Sequence, residues 1–351
     1  MPTDRRYPDS SEWVRSGCEN NSRSRTLTGA FSYDRSLEGC LHNFTPAGTL
    51  PLRPGSQGVS SFRMAPVADT HVAPPACSQR PLLLVVAADN EARAVIQGLT
   101  GRAGSPLPPM WTPLHIHSGI HLVLCGVGKA PAAAATAAAL ARTEPAGGFT
   151  AVLSLGIGGV LPATEASAVS SVSSVSSGPG TDSLWQARPS VGDIVLGDCS
   201  ILADEGVETD SPGGFVSVAD MGFLPFTGHT GATAADPALL DRLRSLLYRL
   251  PPVSGGHTPA CFVGPVATVS VCSGTDARAA AISARTGGLA ECMEGAAVGL
   301  AASVFKTPFA EVRVISNRTG RREAQSWDIK LAMATLTRVS QAVARLAFSD
   351  R

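Results

Sequence analysis

Between residues 80 and 351, short apolar runs alternate with longer segments whose apolar residues recur every three to four positions. "PLLLVVAA" (Pro81 to Ala88) is a continuous apolar run of the kind buried inside a sheet, and "NEARAVIQGL" after it carries helical spacing. "TPLHIHSGIHLVLCGVG" predicts two strands about a Ser118-Gly119 turn; the helical "APAAAATAAALARTE" and the buried strand "FTAVLSLGIGG" come next. Three more strands are predicted at "VGDIVLGDCSIL", "GPVATVSVCSG" and "TPFAEVRVISN". A helix around Met293 precedes the last of them, and "SWDIKLAMATLTRVSQAVARLAF" closes the pattern as a long helix. Alternation of this kind predicts an α/β fold with three αβα layers around a central mixed or mostly parallel sheet.

The pattern lapses twice. Residues 1–79 are rich in Ser, Arg, Pro and Gly without a sustained period, so they are expected to form a disordered N-terminal extension, and Met64 offers an alternative translation start. A serine-rich stretch at about residues 162–190, "ATEASAVSSVSSVSSGPGTDSLWQARPS" at its centre, reads as an exposed loop inserted into the domain at residues 80–351.

Composition narrows the partner. At 44% hydrophobic, the 351 residues suffice for a sizeable core. With 28 basic and 28 acidic residues the formal charge is zero, which favours a small-molecule ligand over nucleic acid or an anionic membrane. The eight cysteines form no CxxC pair and several lie in apolar runs, as buried free thiols do. No apolar run reaches the roughly 18 residues of a membrane helix, and the N-terminus lacks a signal-peptide core, so a cytoplasmic location is expected.

Ligands of such sheets gather at the carboxyl ends of strands, and several polar features fall there. These are Glu91, the run Gly156 to Gly159, Ser273-Gly274-Thr275 and Ser316-Asn317. Each also has an ordinary structural reading. Glu91 suits the first turn of a helix, where a carboxylate is favoured by the helix dipole, and the glycines suit a tight turn. Glu294, at the entrance to the apolar "GAAVGLAASVF", either starts a helix or faces a cleft and awaits a ligand. "GVGKAP" lacks the GxxxxGK[ST] spacing of a triphosphate-binding loop. His115, His117 and His121 have no acidic or Cys partner at ligand spacing, so neither metal nor cofactor is expected.

In their order, "GVGKAPAAAATAAAL", "LSLGIGG" with "VGDIVLGD", "CMEGAAV" and "PFAEVRVISN" resemble the nucleoside phosphorylase and nucleosidase superfamily across about residues 82–348. Within it, "ILADEGVET", "SGTDARAA", "ECMEGAAV" and "VRVISNRTGRREAQSWDI" resemble the futalosine hydrolase family, nucleosidases of menaquinone biosynthesis. The resemblance implies a nucleoside substrate and a homo-oligomer. It also implies that Met293 lies under the ribose, Glu294 holds the ribose hydroxyls, Glu91 activates water, and the backbone of Gly156, Ile157 and Gly158 approaches the ligand. Thr275, Phe223 and Arg318 complete the expected binding set, with Asn317 at the base. Phe223 and Phe226 are the expected contact with a neighbouring subunit.

Two departures from the related methylthioadenosine nucleosidases bear on the substrate. Asn317 stands where those enzymes carry an aspartate that protonates the purine, and an amide cannot deliver a proton in that way. Cys292 stands where they have glutamate. Asp328 is a weak candidate for the missing acid and equally a first-turn helix residue. Phosphorolysis needs arginines at the glycine-rich strand end, and "AVLSLGIGG" has none, so hydrolysis is expected, although Arg313 and Arg318 could bring charge. The cluster Arg318, Arg321 and Arg322 is either a solvated loop or a reader of a substrate carboxylate. A purine nucleoside phosphorylase and a non-catalytic nucleoside sensor are the rival readings.

Overall fold

The computed structural model describes residues 80–348 apart from 145–146, 164–187, 211–213, 224–229 and 254. The expected N-terminal extension, most of the serine-rich insertion and Phe226 lie outside the described residues.

The apolar runs became strands and the periodic segments helices. In chain order they are β1 (Leu82–Val86), α1 (Asp89–Thr100), β2 (Leu114–His117), β3 (Ile120–Leu124), α2 (Lys129–Thr143) and β4 (Ala151–Val160). There follow β5 (Ile194–Leu202), β6 (Gly206–Glu208), β7 (Phe215–Ser217), β8 (Ala232–Ala234), α3 (Pro237–Leu247) and β9 (Cys261–Thr268). The described chain ends with α4 (Asp276–Thr286), β10 (Ala290–Cys292), α5 (Gly295–Val304), β11 (Phe309–Arg318) and α6 (Ile329–Val343).

The main sheet runs β10-β9-β5-β11-β4-β1-β3-β2, with β8 beside β5. It is mixed: β1, β3, β4 and β11 pair in parallel, whereas β5 lies antiparallel to β11 and β2 antiparallel to β3. β10 pairs with β9 on one side and with the far end of β4 on the other, so β4, β11, β5, β9 and β10 close into a ring. β4 serves both halves because it is long: Ala151 to Ser154 pair with β1, and Gly159 and Val160 reach β10.

Helices cover both faces, as the three-layer reading requires. Leu84, Leu153 and Val314 pack with Val95 and Ile96 of α1, Leu243 of α3 and Leu336 of α6; Leu83, Val85 and Val152 pack on the other face with Ala135 of α2 and Val298 of α5. α1 and α6 meet closely because Gly98 has no side chain: a Cβ there would lie 2.4 Å from the Thr337 carbonyl oxygen. α5 is built mostly of small apolar residues and is buried along most of its length, from Gly295 to Ala302, with Val304 exposed at its far end. β10, three buried residues just ahead of that entrance, is a strand that the apolar pattern did not mark.

Candidate active site

At the carboxyl ends of β1, β4 and β11 lies a cavity of about 560 Å³, within the range of small-molecule sites. Glu91, Ile157, Gly158, Met293, Glu294 and Asn317 of the expected set all line it.

Glu91 is in the first turn of α1, but it is not a surface residue: it is 5% exposed. Its Oε1 accepts the Ile157 N–H at 2.8 Å and its Oε2 the Ala88 N–H at 3.0 Å, so the carboxylate ties helix, strand end and cavity together. Burial pushes its pKa up; Arg313 and the Ile157 N–H pull it down, Glu294 pushes it up again, and the balance is a raised value. Glu294 stands at the N-cap position of α5, in a non-helical conformation and with no side-chain cap bond, and its carboxylate lines the cavity, with Oε1 accepting the Gly128 N–H at 3.1 Å. Gly128 can aim its N–H there because it adopts φ 108°, a conformation open to glycine. The nearby Cys125 thiol is held neutral, burial and Glu294 pushing it to about 12.

Beneath the two acids lies Arg313, 1% exposed, on β11. Nη1 is 3.6 Å from Glu294, Nη2 donates to Ser154 Oγ at 2.7 Å, and Nε donates to Glu311 at 2.7 Å. Gly156 is the gap through which guanidinium and Glu91 approach each other: a Cβ there would stand 2.3 Å from Arg313 Nη1 and 2.7 Å from Glu91 Oε1. Gly156 therefore underlies the site and does not line it. Burial opposes the charge on Arg313, and Cys292, Glu311 and Glu294 overrule it, lifting the guanidinium well above its ordinary value.

A third buried carboxyl, Glu291, lines the cavity from β10 and accepts both the N–H and the hydroxyl of Ser273, at 2.8 and 2.6 Å; burial raises its pKa. Asn317 is 3% exposed, its Oδ1 accepting from Ser316 Oγ at 2.9 Å and its Nδ2 donating to the Arg318 carbonyl at 3.1 Å. At the mouth, the Arg322 guanidinium lies 5.1 Å over the Trp327 ring. Gln325 Oε1 accepts from both residues, each at 3.1 Å, while its Nε2 donates to the Ser273 and Gly320 carbonyls.

Besides Gly156, three residues of the expected set stand outside the lining. Thr275 caps α4, accepting the Arg278 N–H at 3.2 Å. Phe223 is 71% exposed, and Arg318 is exposed at the end of β11. Of the arginine cluster, only Arg322 lines the cavity; Arg321 pairs with Asp276 at 3.5 Å. Asp328 is no acid for the site: it caps α6, accepting the Leu331 N–H at 2.8 Å. The rings of His115 and His121 pack edge to face at 5.4 Å, and among the described residues no group of three His, Cys, Asp or Glu could hold a metal ion. Arg313 is expected only to bring charge and Glu291 only to accompany Glu294 as a second carboxylate, and no role is expected of Glu311, Gln325 or Trp327. For the pair on β11 a signal existed: opposite charges two residues apart on one face of an otherwise apolar strand mark a buried ion pair.

Fold and site together define the class. The chain belongs to the phosphorylase superfamily, whose family model matches residues 114–349. It is 34% identical to the futalosine hydrolase of Acidothermus cellulolyticus over 72% of this chain and 86% of that one. To the futalosine hydrolase of Streptomyces coelicolor it is also 34% identical, over 76% of this chain and 94% of the relative. The fold is shared with the 5'-methylthioadenosine/S-adenosylhomocysteine nucleosidase of Neisseria meningitidis, at 17% identity and TM-score 0.52, covering 77% of this chain and 97% of that one.

Proposed function

We propose that the protein hydrolyses the N-glycosidic bond of futalosine, releasing hypoxanthine and the dehypoxanthine product that the family uses in menaquinone biosynthesis. One observation carries the reading of the site: Glu91 and Glu294, both buried, face one cavity over a single guanidinium that Glu311 already engages. Breaking the bond from ribose C1' to the purine nitrogen leaves positive charge on the sugar, and fixed carboxylates stabilise it. Glu91, its pKa raised, takes a proton from water as oxygen bonds to C1'; Glu294 accepts from the ribose hydroxyls over Met293. The electron pair of the broken bond leaves with the base as its anion, which Asn317 hydrogen-bonds and which takes a proton from solvent to become hypoxanthine, while Glu91 returns its own proton to solvent.

Hydrolysis is favoured over phosphorolysis because Arg313, the arginine beneath the glycine-rich strand end, is buried and committed to protein groups and so is not offered to a phosphate. Free thiols and the lack, among the described residues, of a helix long and apolar enough to cross a membrane support a cytoplasmic enzyme. A second copy of the chain is the proposed partner, with Phe223 at the contact. Incubation with futalosine, with and without phosphate, tests the reading: free sugar product and hypoxanthine are expected in both arms. A sugar phosphate formed only in the second arm would make the protein a phosphorylase.

A further inference from the structure

Under the cavity floor, Glu311 touches no space that a ligand reaches. It is fully buried near the start of β11, its Oε1 accepting from Arg313 Nε at 2.7 Å and from the Cys292 thiol at 3.1 Å; the Ser200 hydroxyl donates to Oε2. Room for it exists because residue 295 is glycine: a Cβ there would sit 2.0 Å from the carboxylate. A buried anion survives only when paired and hydrogen-bonded, and this one has a guanidinium and two donors. Arg313 in turn has one nitrogen on Glu311, one on Ser154 and one toward Glu294, so its plane is fixed from three sides.

The charge count gives the arrangement a purpose. Glu91, Glu294 and Glu311 surround one guanidinium. Without Glu311, Arg313 would spend its charge on the two acids facing the cavity. We propose that Glu311 is a positioning residue: it holds Arg313 by Nε and offsets its charge, so that the field reaching the ligand from Glu91, Glu294 and the guanidinium together is negative. That the ligand is a sugar becoming cationic rests on the proposed function; the charge coupling itself does not.

The test therefore begins without substrate. In the ligand-free full chain, the carboxyl of Glu91 is titrated by 13C NMR, its signal assigned by loss in Glu91→Gln. The groups facing it are Arg313 from β11, Glu294 from the start of α5 and the neutral Cys125 thiol from the end of β3. Glu311→Gln, equal in size, should lower the Glu91 midpoint by about one unit, because the guanidinium is no longer offset. Wild type and variant are then compared on whichever nucleoside the wild type hydrolyses. The variant's kcat should fall roughly tenfold with KM little changed, since the lost potential acts on the transition state, and the acid limb of its pH profile should move down with the NMR midpoint.

Cys292 points at the same carboxylate oxygen, so Cys292→Glu combined with Glu311→Ala moves the anion across the gap at nearly constant volume. This swap should restore the midpoint and most of kcat, and it decides the matter alone if Glu311→Gln does not fold. An unmoved Glu91 midpoint in Glu311→Gln, or a folded swap that titrates like the single variant, would overturn the proposal. Failure of the wild type to cleave futalosine would instead overturn the substrate assignment and leave the NMR result standing.

Discussion

The floor and the mouth of the cavity are built on opposite terms. On the floor, Arg313 is 1% exposed, Glu91 and Glu294 are held by backbone N–H groups, and Glu311 is held by Arg313. At the mouth, Trp327 is 46% exposed, and the Arg322 guanidinium lies over it in contact with water. Charges removed from water act strongly and cannot reorient, which suits stabilisation of a transition state; charges in water act weakly and locally, which suits recognition. The comparison therefore predicts that damage to the floor appears in turnover and damage to the mouth in substrate affinity.

The largest effect should come from Glu294→Gln. The amide keeps the size and accepts one hydrogen bond, but removes the charge proposed to face the ribose, so kcat on futalosine should fall on the order of 100- to 1000-fold, with KM moving much less. Steady-state kinetics checks this, and a KM effect as large as the kcat effect would erase the distinction between floor and mouth. Because both acids are buried and not solvent-facing, some loss of stability will accompany the substitution, and kinetics must be read on protein shown to be folded.

Glu91→Gln should follow, at roughly 100-fold or more, by removing the proposed base. In the wild type, kcat/KM should fall as the pH drops through the raised pKa of Glu91, because only the carboxylate can accept a proton. The variant's residual rate should lose that acid limb. A limb of unchanged shape in the variant would assign the titration to another group, Glu291 being next in line since burial raises it too.

At the mouth the expected effects are smaller. If Arg322 reads a carboxylate on futalosine, Arg322→Ala should raise KM about tenfold, near the low end of the 1.5–3 kcal/mol for hydrogen bonds to charged groups, because the guanidinium is exposed. Turnover of inosine, which lacks that carboxylate, should be unaffected. Trp327→Ala should act in the same direction by removing the surface on which the guanidinium lies. Equal loss on both nucleosides would mean that the pair shapes the cavity without choosing its ligand.

The difference between floor and mouth also explains what could be read from residue order alone. Strands such as Leu82–Val86 and the helix at Ile329–Val343 were legible because burial on a sheet or on one helix face leaves a period in the sequence. Glu91, Glu294 and Asn317 were legible through motifs that keep their spacing at strand ends. The support under them was not, because Glu311, Arg313, Ser154 and Cys292 come from three strands and meet only after the sheet forms. Thr275 shows the reverse: it lies beside the cavity-lining Ser273 and Gly274 in sequence, yet its hydroxyl is used by a helix cap.

The smallest expected effect is thermodynamic, and it separates floor from mouth without any substrate. A buried carboxyl whose folded pKa is raised favours the folded state most below its unfolded pKa, and that contribution is lost as the pH rises through the folded value. Glu91 in the wild type therefore weighs on stability more at pH 8 than at pH 5, whereas glutamine at 91 has nothing to ionise. The melting temperature of Glu91→Gln relative to wild type should accordingly climb between pH 5 and pH 8, by about 2–4 °C for each kcal/mol in a domain of this size. Trp327→Ala removes no titratable group, and its difference from wild type should stay flat across the same range. Parallel pH dependence in the two variants would mean that the acids of the floor ionise as freely as groups at the mouth. That would contradict the burial on which the proposed base, and its raised affinity for a proton, both depend.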